Sequence, residues 1–343
     1  MEYGAIDLHL RHSQIRILTT DERVVLDRRI PTDRSAFDGL FGGRARMRIL
    51  IESSTESEWV AQHLEGLGHE VVVVDPNYAA MYGARSRKVK TDKRDVAALA
   101  LANRRGVYRA AHRVRPAARA LRQELRVRRH LVEQRTALIN LVRALLRQEG
   151  LRLPSGHADA VLRRLDRVAP SPALQAALTP VRTLLTTLQT TLATVETAVE
   201  ARAVADPTTQ RLMTTPGVGP ILALTFQAIL DDPARFGGDA ARASAFVGLV
   251  PREDSSAERQ HRGHITKTGP GEVRAILVQA SWVIWRSRTP RAAALRTWVQ
   301  AVAARRGRRI AIVALARRLT RVLYALWRDG TVFRAPAAAA SAA

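Results

Sequence analysis

The fold of the N-terminal region is decided by residues 4–31, which read GAIDLHLRHSQIRILTTDERVVLDRRIP. Apolar runs at 5–8, 15–18 and 24–26 alternate with polar residues, and polar turns separate them. Alternation of this kind is typical of half-buried strands, so the stretch predicts three antiparallel strands joined by turns. Asp7 lies within the first run, where an ionised carboxylate is costly unless something compensates its charge.

Beyond this stretch, strand and helix patterns alternate. Met47–Ile51 and Val71–Val74 are predicted strands, and helical spacing appears over 56–67 and 92–104. A continuous apolar run such as Val71–Val74 is typical of a strand buried on both faces. The sequence therefore predicts an α/β domain with a mixed sheet over residues 1–110.

The remainder of the chain is predicted to be mostly helical. Within 111–205, one predicted helix covers 117–149, and a second covers 181–204 with apolar residues at alternating steps of four and three. Such steps form the seam of a coiled coil, so the two helices are expected to pair as an antiparallel hairpin or to join two copies of the chain. The alternative is that each helix packs on its own domain. A C-terminal domain over 206–330 and a disordered low-complexity tail over 331–343 complete the prediction.

Composition narrows the classes of protein that fit. The chain has 343 residues, 46% of them apolar, and a net charge of +24. A positive charge of that size indicates a polyanionic partner, and nucleic acid is the first candidate. The lack of cysteine excludes disulfides and thiolate zinc sites, and the histidines have no ligand-like spacing. No apolar run is long enough to span a membrane and no signal-peptide pattern opens the chain, so we expect a cytoplasmic protein.

Four carboxylates from three predicted elements are candidates for one metal site. Asp7 lies in the first strand, Glu52 follows the fourth, and Asp92 and Asp95 are spaced to share one face of a helix. If the first and fourth strands are parallel neighbours, Asp7 and Glu52 approach each other. Converging carboxylates need cations, and oxygen ligands select Mg²⁺ or Mn²⁺. Two such ions can activate a nucleophile and stabilise the leaving oxygen in phosphodiester cleavage.

These carboxylates also have structural explanations. Asp92 can cap the helix that it begins, and the second aspartate of the pair suits the helix dipole. Glu52 can be a solvated strand end, and Glu56 and Glu58 are alternatives for its role. Asp7 is the hardest to explain structurally, because its strand is otherwise apolar.

Basic residues cluster where a nucleic-acid backbone could bind. Lysines and an arginine surround the aspartate pair, and arginines make the predicted helix 117–149 strongly basic, although a solvated helix face is the alternative. A Gly-x-Gly turn can present N–H groups to a phosphate, and a plain turn between helices explains it equally well. The predicted nucleic-acid contacts are Lys90, Lys93, Arg94, Arg122, Arg126, Arg129, Gly217, Gly219 and Lys267.

An ordered set of motifs resembles a known transposase family. The N-terminal motifs are Gly4–Asp7, Ile51–Thr55, Val73–Pro76 and Lys90–Asp95. The C-terminal motifs are Thr215–Pro220, Phe246–Arg252, Gly263–Gly269 and Leu277–Ala280. Over roughly residues 3–300, and in this order, they are similar to those of the insertion-sequence family numbered one hundred and ten, whose transposases are guided by a bridge RNA.

The resemblance implies a RuvC-like (ribonuclease-H-like) fold for the first domain and a helical transposase domain at the C-terminus. It also implies that the four carboxylates form a catalytic DEDD tetrad that binds Mg²⁺. It further implies a catalytic serine after the Gly-Leu-x-Pro-Arg motif. Ser256 fits that position best, Ser255 is the close rival, and Ala257 replaces the usual glycine.

In the resembling family, tetrad and serine act together, and the serine forms a covalent phosphoserine link to DNA during recombination. The implied partners are double-stranded donor and target DNA, a structured bridge RNA, and further copies of the chain in a dimer of dimers. Two alternatives stay open. A Holliday-junction-type endonuclease would use the DEDD cluster alone and cut DNA without the serine, and a non-catalytic basic scaffold would bind nucleic acid without needing metal.

Overall fold

The computed structural model describes residues 1–83, 91–253 and 262–335. The chain forms two compact units, Met1–Arg113 and Val114–Ala343. Three predicted site residues lie outside the described ranges, namely Lys90, Ser255 and Ser256.

The first unit is an α/β structure built on a five-stranded sheet. Its elements in chain order are β1 (Tyr3–Leu8), β2 (His12–Leu18), β3 (Val24–Pro31), α1 (Arg34–Phe41), β4 (Arg48–Glu52), α2 (Ser57–Gly66), β5 (Glu70–Val74) and α3 (Asp92–Arg105). One turn of 3-10 helix, Ala79–Tyr82, follows β5. The predicted mixed α/β character of the N-terminal part of the chain is confirmed.

The sheet is mixed in direction, with strand order β3-β2-β1-β4-β5. The first three strands form an antiparallel meander, whereas β4 is parallel both to β1 and to β5. The register of the central pair joins Tyr3 to Arg48 and Ile6 to Ile51. The first and fourth strands are therefore parallel neighbours, and the arrangement is consistent with the RuvC-like fold that the family resemblance implies.

Side-chain alternation directs two apolar cores to opposite faces of this sheet. Ile49 packs with α1 and α2 on one face. Ala5 and Leu50 pack with α3 on the other face. Every second residue of a strand faces the same side of the sheet. Asp7 therefore shares the face of Ala5, and Glu52 shares the face of Leu50. This is the face that α3 covers.

The second unit is mostly helical, with one short antiparallel hairpin. Its elements are α4 (Pro116–Gln148), α5 (Val161–Leu165), α6 (Pro172–Ala205), α7 (Pro207–Met213), α8 (Pro220–Leu230), α9 (Ala240–Phe246), β6 (Pro251–Glu253), β7 (Arg262–Ile265), α10 (Gly271–Arg286), α11 (Ala293–Arg306) and α12 (Arg308–Asp329). Phe226 of α8, Leu277 of α10 and Leu319 of α12 lie at the centre of its largest core.

The long helices α4 and α6 pack against each other in opposite directions. Leu146 near the end of α4 shares a core with Leu178 near the start of α6. Leu125 near the start of α4 shares another core with Val199 near the end of α6. The two helices thus pair as an antiparallel hairpin. A regular coiled coil is not confirmed, because Val132 in the middle of the pair is only half-buried.

Helix α6 begins nine residues earlier than the predicted start at residue 181, and it contains Pro180 in its interior. Proline removes a backbone hydrogen bond inside a helix, so the local sequence favours a helix start after Pro180 rather than before it. Here Pro172 occupies the first turn, and the hydroxyl of Ser171 caps the helix by accepting from the N–H of Leu174. The cap and the packing on α4 compensate for the lost bond.

Two further predictions concern membrane-spanning helices and the C-terminal tail. Within the described ranges, no helix is both long enough and apolar enough to cross a bilayer. Residues 331–335 follow α12 without regular structure, and Phe333 packs on the largest core and donates its N–H to Thr214 Oγ1 at 2.8 Å. The rest of the predicted tail, 336–343, lies outside the described residues.

Candidate active site

One cleft of about 440 Å³ in the first unit gathers the predicted carboxylates. Its lining residues are Asp7, Leu8, His9, Glu52, Pro76, Tyr82, Asp92 and Asp95. The strands β1 and β4 and the helix α3 each contribute carboxylates, so the cleft forms only when these three elements are in place.

The strand register puts Asp7 beside Glu52. Ile6 pairs with Ile51 across the parallel strands, and the next residue on each strand is a cleft carboxylate. Neighbouring strands are about 4.8 Å apart, so two side chains that face the same helix at the same edge of the sheet are close to each other. The side chain of Asp7 is only 15% exposed, which separates this carboxylate from an ordinary surface residue.

The first turn of α3 supplies the other two carboxylates. Thr91 is the N-cap of this helix, and its Oγ1 accepts the N–H of Arg94. The capping explanation for Asp92 therefore fails, because another residue takes that role. Asp95 lies one turn further along the helix and is only 7% exposed. Both aspartates lie in the first turn, where the helix dipole favours a negative charge, as predicted for Asp95.

Asn103 holds the opposite end of α3 against the sheet. Its Nδ2 donates to the carbonyl oxygens of Gly4 at 2.7 Å and Arg48 at 2.9 Å, at the starts of β1 and β4. The helix rises about 12 Å from Asn103 back to Asp95, and the strand rises about 10 Å from Gly4 to Asp7. These two rises match, so a helix that runs opposite to the strands brings its first turn to the carboxylate edge.

His9 is a cleft residue that the sequence reasoning missed. Its Nε2 lies 3.5 Å from Asp7 Oδ2 and 3.6 Å from Asp92 Oδ2. Ligand atoms of these three residues all lie within 4.8 Å of one another. No metal-ligand spacing among the histidines points to His9, and its one distinguishing feature in the sequence is its place two residues after Asp7.

Tyr82 is the second residue that the sequence reasoning missed. Its hydroxyl donates a hydrogen bond to Glu52 Oε1 from the 3-10 turn that follows β5. The two alternatives to Glu52 are engaged elsewhere. Glu58 accepts from Arg113 at 2.9 and 3.1 Å, and Glu56 accepts from Trp59 Nε1 at 2.6 Å. Of these three glutamates, the cleft lining includes Glu52.

Asp75, from the Val73–Pro76 motif, shapes the turn beside the cleft. Its carboxylate accepts the N–H of Asn77 at 2.9 Å and is paired with the guanidinium of Arg109. The hydrogen bond from Asn77, together with Arg109, holds the pKa of Asp75 below its usual range. Asp75 therefore stabilises the turn that carries Pro76 into the cleft wall.

The donor set of the cleft fits a divalent metal ion. Asp7, His9 and Asp92 offer three donor atoms close together, and Glu52 and Asp95 line the same space. Carboxylate oxygens are the preferred ligands of Mg²⁺ and Mn²⁺, and grouped carboxylates repel one another unless a cation lies between them. These residues could hold one or two such ions.

The predicted nucleic-acid contacts of α4 differ in how far the fold uses them. Arg122 donates to the carbonyl oxygens of Ala228 at 2.7 Å and Ile229 at 2.9 Å, and burial lowers its pKa. Arg129 lies 3.3 Å from a carboxylate oxygen of Glu272. Arg126 is exposed. Arg122 thus caps the C-terminus of α8 by donating hydrogen bonds to two of its last carbonyl groups. Arg126, by contrast, is accessible to a partner.

The other described candidates lie in helix starts and loops. Lys93 and Arg94 are exposed in the first turn of α3, and Lys267 is exposed after β7. Gly217 has a φ of +75°, and a Cβ there would lie 2.9 Å from the carbonyl oxygen of Ala280 in α10. Close packing of α10 therefore explains Gly217. Gly219 is the N-cap of α8, with open space beside it.

Two glycines fix the base of the β6–β7 hairpin, whose strands precede and follow the segment with the two candidate serines. Gly248 before β6 and Gly269 after β7 have φ values of +73° and +75°. A Cβ on Gly248 would overlap the carbonyl oxygen of Thr268, and one on Gly269 would overlap that of Phe246. Only glycine fits at these two positions. The backbone before β6 and the backbone after β7 are therefore in close contact where the hairpin begins and ends.

Two family models match the chain. The model for a DEDD transposase of the IS110 type, described as "Transposase", matches residues 5–150. The model described as "Transposase IS116/IS110/IS902 family" matches residues 209–296. The first stretch contains all four cleft carboxylates, and the second contains both candidate serines.

Curated relatives cover most of the chain. A Pseudomonas aeruginosa protein named "Probable family 20 transposase" is 29% identical over 96% of this chain and 97% of its own length. The Coxiella burnetii transposase for insertion sequence element IS1111A is 28% identical over 78% of this chain and 74% of its own length. The Yersinia enterocolitica transposase for insertion sequence element IS1328 is 28% identical, with coverage of 83% and 85%.

The matches agree with the order of motifs along the chain. Together the two models span the carboxylate cleft and the hairpin region, and the relatives extend across both units. A DEDD domain implies use of a divalent metal, and a transposase acts on DNA. This chain belongs to the IS110 family of insertion-sequence transposases, which are DNA recombinases.

Proposed function

We propose that the chain excises and inserts its own insertion sequence by cutting and rejoining DNA strands at the carboxylate cleft, with help from Mg²⁺ or Mn²⁺. The observation that carries the proposal is the convergence of Asp7, Glu52, Asp92 and Asp95 on one cleft. These residues lie on three elements that are far apart in the sequence. Their proximity is therefore a property of the fold rather than of the local sequence.

The four carboxylates act in this proposal as metal ligands. When bound, the ions would polarise the scissile phosphate and stabilise the oxygen that leaves. Asp7 and Glu52 hold their positions through the register of β1 and β4, and Asp92 and Asp95 through the first turn of α3. Tyr82 orients Glu52 through its hydroxyl. A rigid ligand set of this kind is what accurate phosphoryl transfer requires.

Ser256 is the proposed nucleophile, with Ser255 as the rival, and both lie within the stretch that the second transposase model matches. The serine Oγ would lose its proton and form a bond to phosphorus. The bond between phosphorus and one deoxyribose oxygen would break, and that oxygen would leave as a strand-end hydroxyl. The phosphoserine link conserves the energy of the broken bond for rejoining, which suits recombination better than hydrolysis.

Guidance by a bridge RNA and assembly as a dimer of dimers are further parts of the proposal. The family resemblance of the sequence motifs supports both, and the net charge of +24 supports a nucleic-acid partner. Exposed basic residues are the proposed backbone contacts, and they are Lys93, Arg94, Arg126 and Lys267. Base pairing with a guide would then choose the target, and these side chains would add affinity without sequence preference.

A covalent-adduct experiment tests the chemistry. The purified full chain, with its co-isolated RNA, is incubated with labelled DNA that carries the ends of the element, in Mg²⁺. We expect a protein–DNA adduct that survives denaturing gel electrophoresis and that mass spectrometry maps to Ser256. Ser256→Ala should abolish the adduct, Ser255→Ala should retain it, and Asp7→Asn should abolish it without loss of the fold.

The same experiment separates the alternatives. If both serine variants cut DNA and no adduct forms, the serine step is wrong and a metal-dependent junction endonuclease is supported. If Asp7→Asn behaves like the wild type and chelators have no effect, the chain is a basic nucleic-acid scaffold.

Sequencing of the co-purified RNA tests guidance. A defined transcript from the flank of the element is the expected result, and a random sample of cellular RNA would contradict it. Mass measurement of the particle assembled with that RNA and both DNA partners should give four copies of the chain, and a particle with one copy would refute the proposed oligomer.

A further inference from the structure

We infer that His9 is a ligand of the metal ion held between Asp7 and Asp92, which gives this ion a mixed nitrogen and oxygen shell and a preference for Mn²⁺ over Mg²⁺. The inference rests on the proposed metal site and deepens it. It adds a neutral nitrogen donor to a ligand set that the DEDD pattern describes by carboxylates alone.

The distances suit a shared ion. Donors around an octahedral ion bound at about 2.1 Å are about 3.0 Å apart when adjacent and about 4.2 Å apart when opposite. His9 Nε2 lies 3.5 Å from Asp7 Oδ2 and 3.6 Å from Asp92 Oδ2. The ligand atoms of the three residues lie within 4.8 Å of one another. Shifts of about half an ångström would bring them onto one ion.

The backbone of His9 is held in place by a chain of hydroxyl groups. The hydroxyl of Thr32 donates to the carbonyl oxygen of His9 at 2.8 Å. Thr32 Oγ1 lies 2.7 Å from Ser13 Oγ, and Ser13 is fully buried in β2. The N–H of Thr32 also donates to the carbonyl of Arg11 at 3.0 Å. Hydrogen bonds from Thr32, the residue after β3, therefore hold the backbone of the turn that presents the imidazole.

The position of His9 fits the open side of the site. The side chain of Asp7 is 15% exposed, while those of His9 and Asp92 are 53% and 60% exposed. Asp7 therefore forms the floor of the group, and the other two face the mouth of the cleft, where a phosphate would enter. An imidazole there supplies a donor without adding negative charge in the path of a polyanionic substrate.

The chemistry of the donors sets the metal preference. Both ions bind carboxylate oxygens, but Mg²⁺ is the harder ion and keeps oxygen ligands and water, whereas Mn²⁺ is a transition-metal ion that accepts an imidazole nitrogen more readily. Loss of the imidazole should therefore weaken Mn²⁺ binding more than Mg²⁺ binding. The affinity ratio of the two metals reports the nitrogen ligand directly and does not depend on DNA cleavage.

The test uses the full chain, freed of metal and nucleic acid, and its His9→Gln variant. Mn²⁺ and Mg²⁺ are titrated separately by calorimetry, and pulsed electron paramagnetic resonance on bound Mn²⁺ detects nitrogen coupling. We expect His9→Gln to weaken Mn²⁺ by at least about tenfold and Mg²⁺ by less than about threefold. The nitrogen coupling should be present in the wild type and absent in the variant.

His12→Gln is the matched control, because His12 is exposed in the same strand pair and is not part of the cleft lining. It should keep both the coupling and the affinities. Equal Mn²⁺ affinity in the wild type and His9→Gln, without nitrogen coupling in either, overturns the inference. Thermal unfolding of all variants shows that the fold is retained.

Asp7→Asn separates this failure from failure of the proposed function. If His9→Gln has no effect but Asp7→Asn loses Mn²⁺ binding, the inference about His9 is wrong and the carboxylate metal site stands. If Asp7→Asn also leaves Mn²⁺ affinity unchanged, the metal site itself is refuted, and the inference falls with it.

Discussion

The carboxylate cleft of the first unit and the arginine-rich helices of the second unit are both charged regions, but the fold uses them differently. In the first unit, residues far apart in sequence bring their carboxylates to one cleft. In the second unit, arginines of the same helix α4 contact different parts of the unit. Arg128 pairs with Glu196 at 2.6 Å across the α4–α6 hairpin, and Arg122 binds the carbonyls that end α8.

Charged residues that are distant in sequence but close in the fold therefore indicate a functional site better than charged residues that are merely close in sequence. Arg164 is an instructive case, since it is 5% exposed and donates to the carbonyl oxygens of Pro154 and His157, both at 2.7 Å. It organises the loop before α5. A net charge of +24 thus overstates how many cations are available to a nucleic acid.

The largest effect is expected from the cleft. Asp92→Asn should lower DNA cleavage by at least about a hundredfold, because it removes a proposed metal ligand from the proposed site of phosphoryl transfer. The free energy of unfolding should change by less than about 0.5 kcal/mol, since the side chain is 60% exposed. Gel-based cleavage assays and urea unfolding measure the two quantities.

Asp21→Asn is the control for that variant, because Asp21 is an exposed aspartate of the same unit whose side chain is 69% exposed beside Arg23. It should cleave DNA like the wild type. Unaltered cleavage by Asp92→Asn, or a loss of stability as large as the loss of activity, would mean that Asp92 has a structural role and no specific role in cleavage.

An intermediate effect is expected from two arginines one helical turn apart. Arg122→Ala should lower the free energy of unfolding by about 2 kcal/mol, because two part-buried carbonyls at the end of α8 lose a charged donor, and nucleic-acid affinity should change little. Arg126→Ala should leave stability unchanged and reduce both the affinity and the salt slope of binding by about one phosphate contact. Urea unfolding and DNA binding at several salt concentrations separate the two residues.

The opposite result would contradict the distinction between arginines that stabilise the fold and arginines that bind nucleic acid. That result is unchanged stability with weaker DNA binding for Arg122→Ala, and lower stability for Arg126→Ala. Arg122→Lys sharpens the test, because it keeps the charge but cannot reproduce both hydrogen bonds.

The smallest effect is expected from Tyr82→Phe. The variant keeps the ring and removes the hydroxyl that donates to Glu52. Cleavage in Mg²⁺ should fall by about three- to tenfold, as a ligand loses its orienting partner while remaining in the site. Metal titration of activity checks this, and a higher metal concentration should restore part of the loss. No change at any metal concentration would show that Glu52 is held by β4 alone.

Local patterns predicted the order of strands and helices in the first unit, because alternation and helical spacing depend only on neighbouring residues. The proximity of Asp7 and Glu52 needed one further assumption, the parallel pairing of β1 with β4, and the Ile6–Ile51 register supports it. A single histidine carries no metal-ligand spacing, so only its place two residues after Asp7 distinguished His9 from the other histidines before the turn was known.

Predictions that depended on distant parts of the chain were weaker. The role of Arg122 depends on where α8 ends, and no property of the α4 sequence specifies that point. The continuation of α6 through Pro180 depends on packing against α4, whereas the local rule for proline indicates a helix start. Gly217 was predicted as a phosphate contact because the local sequence does not show how closely α10 approaches it.

The hydrogen bonds of Asn103 limit how this part of the chain can change in length. Because Asn103 anchors one end of α3 and the aspartates occupy the other, a single deleted residue between them would rotate the first turn by about 100° and shift it by about 1.5 Å. The carboxylates would then leave the cleft although every side chain was still present. Insertions and deletions between Asp95 and Asn103 should therefore be as damaging as loss of an aspartate.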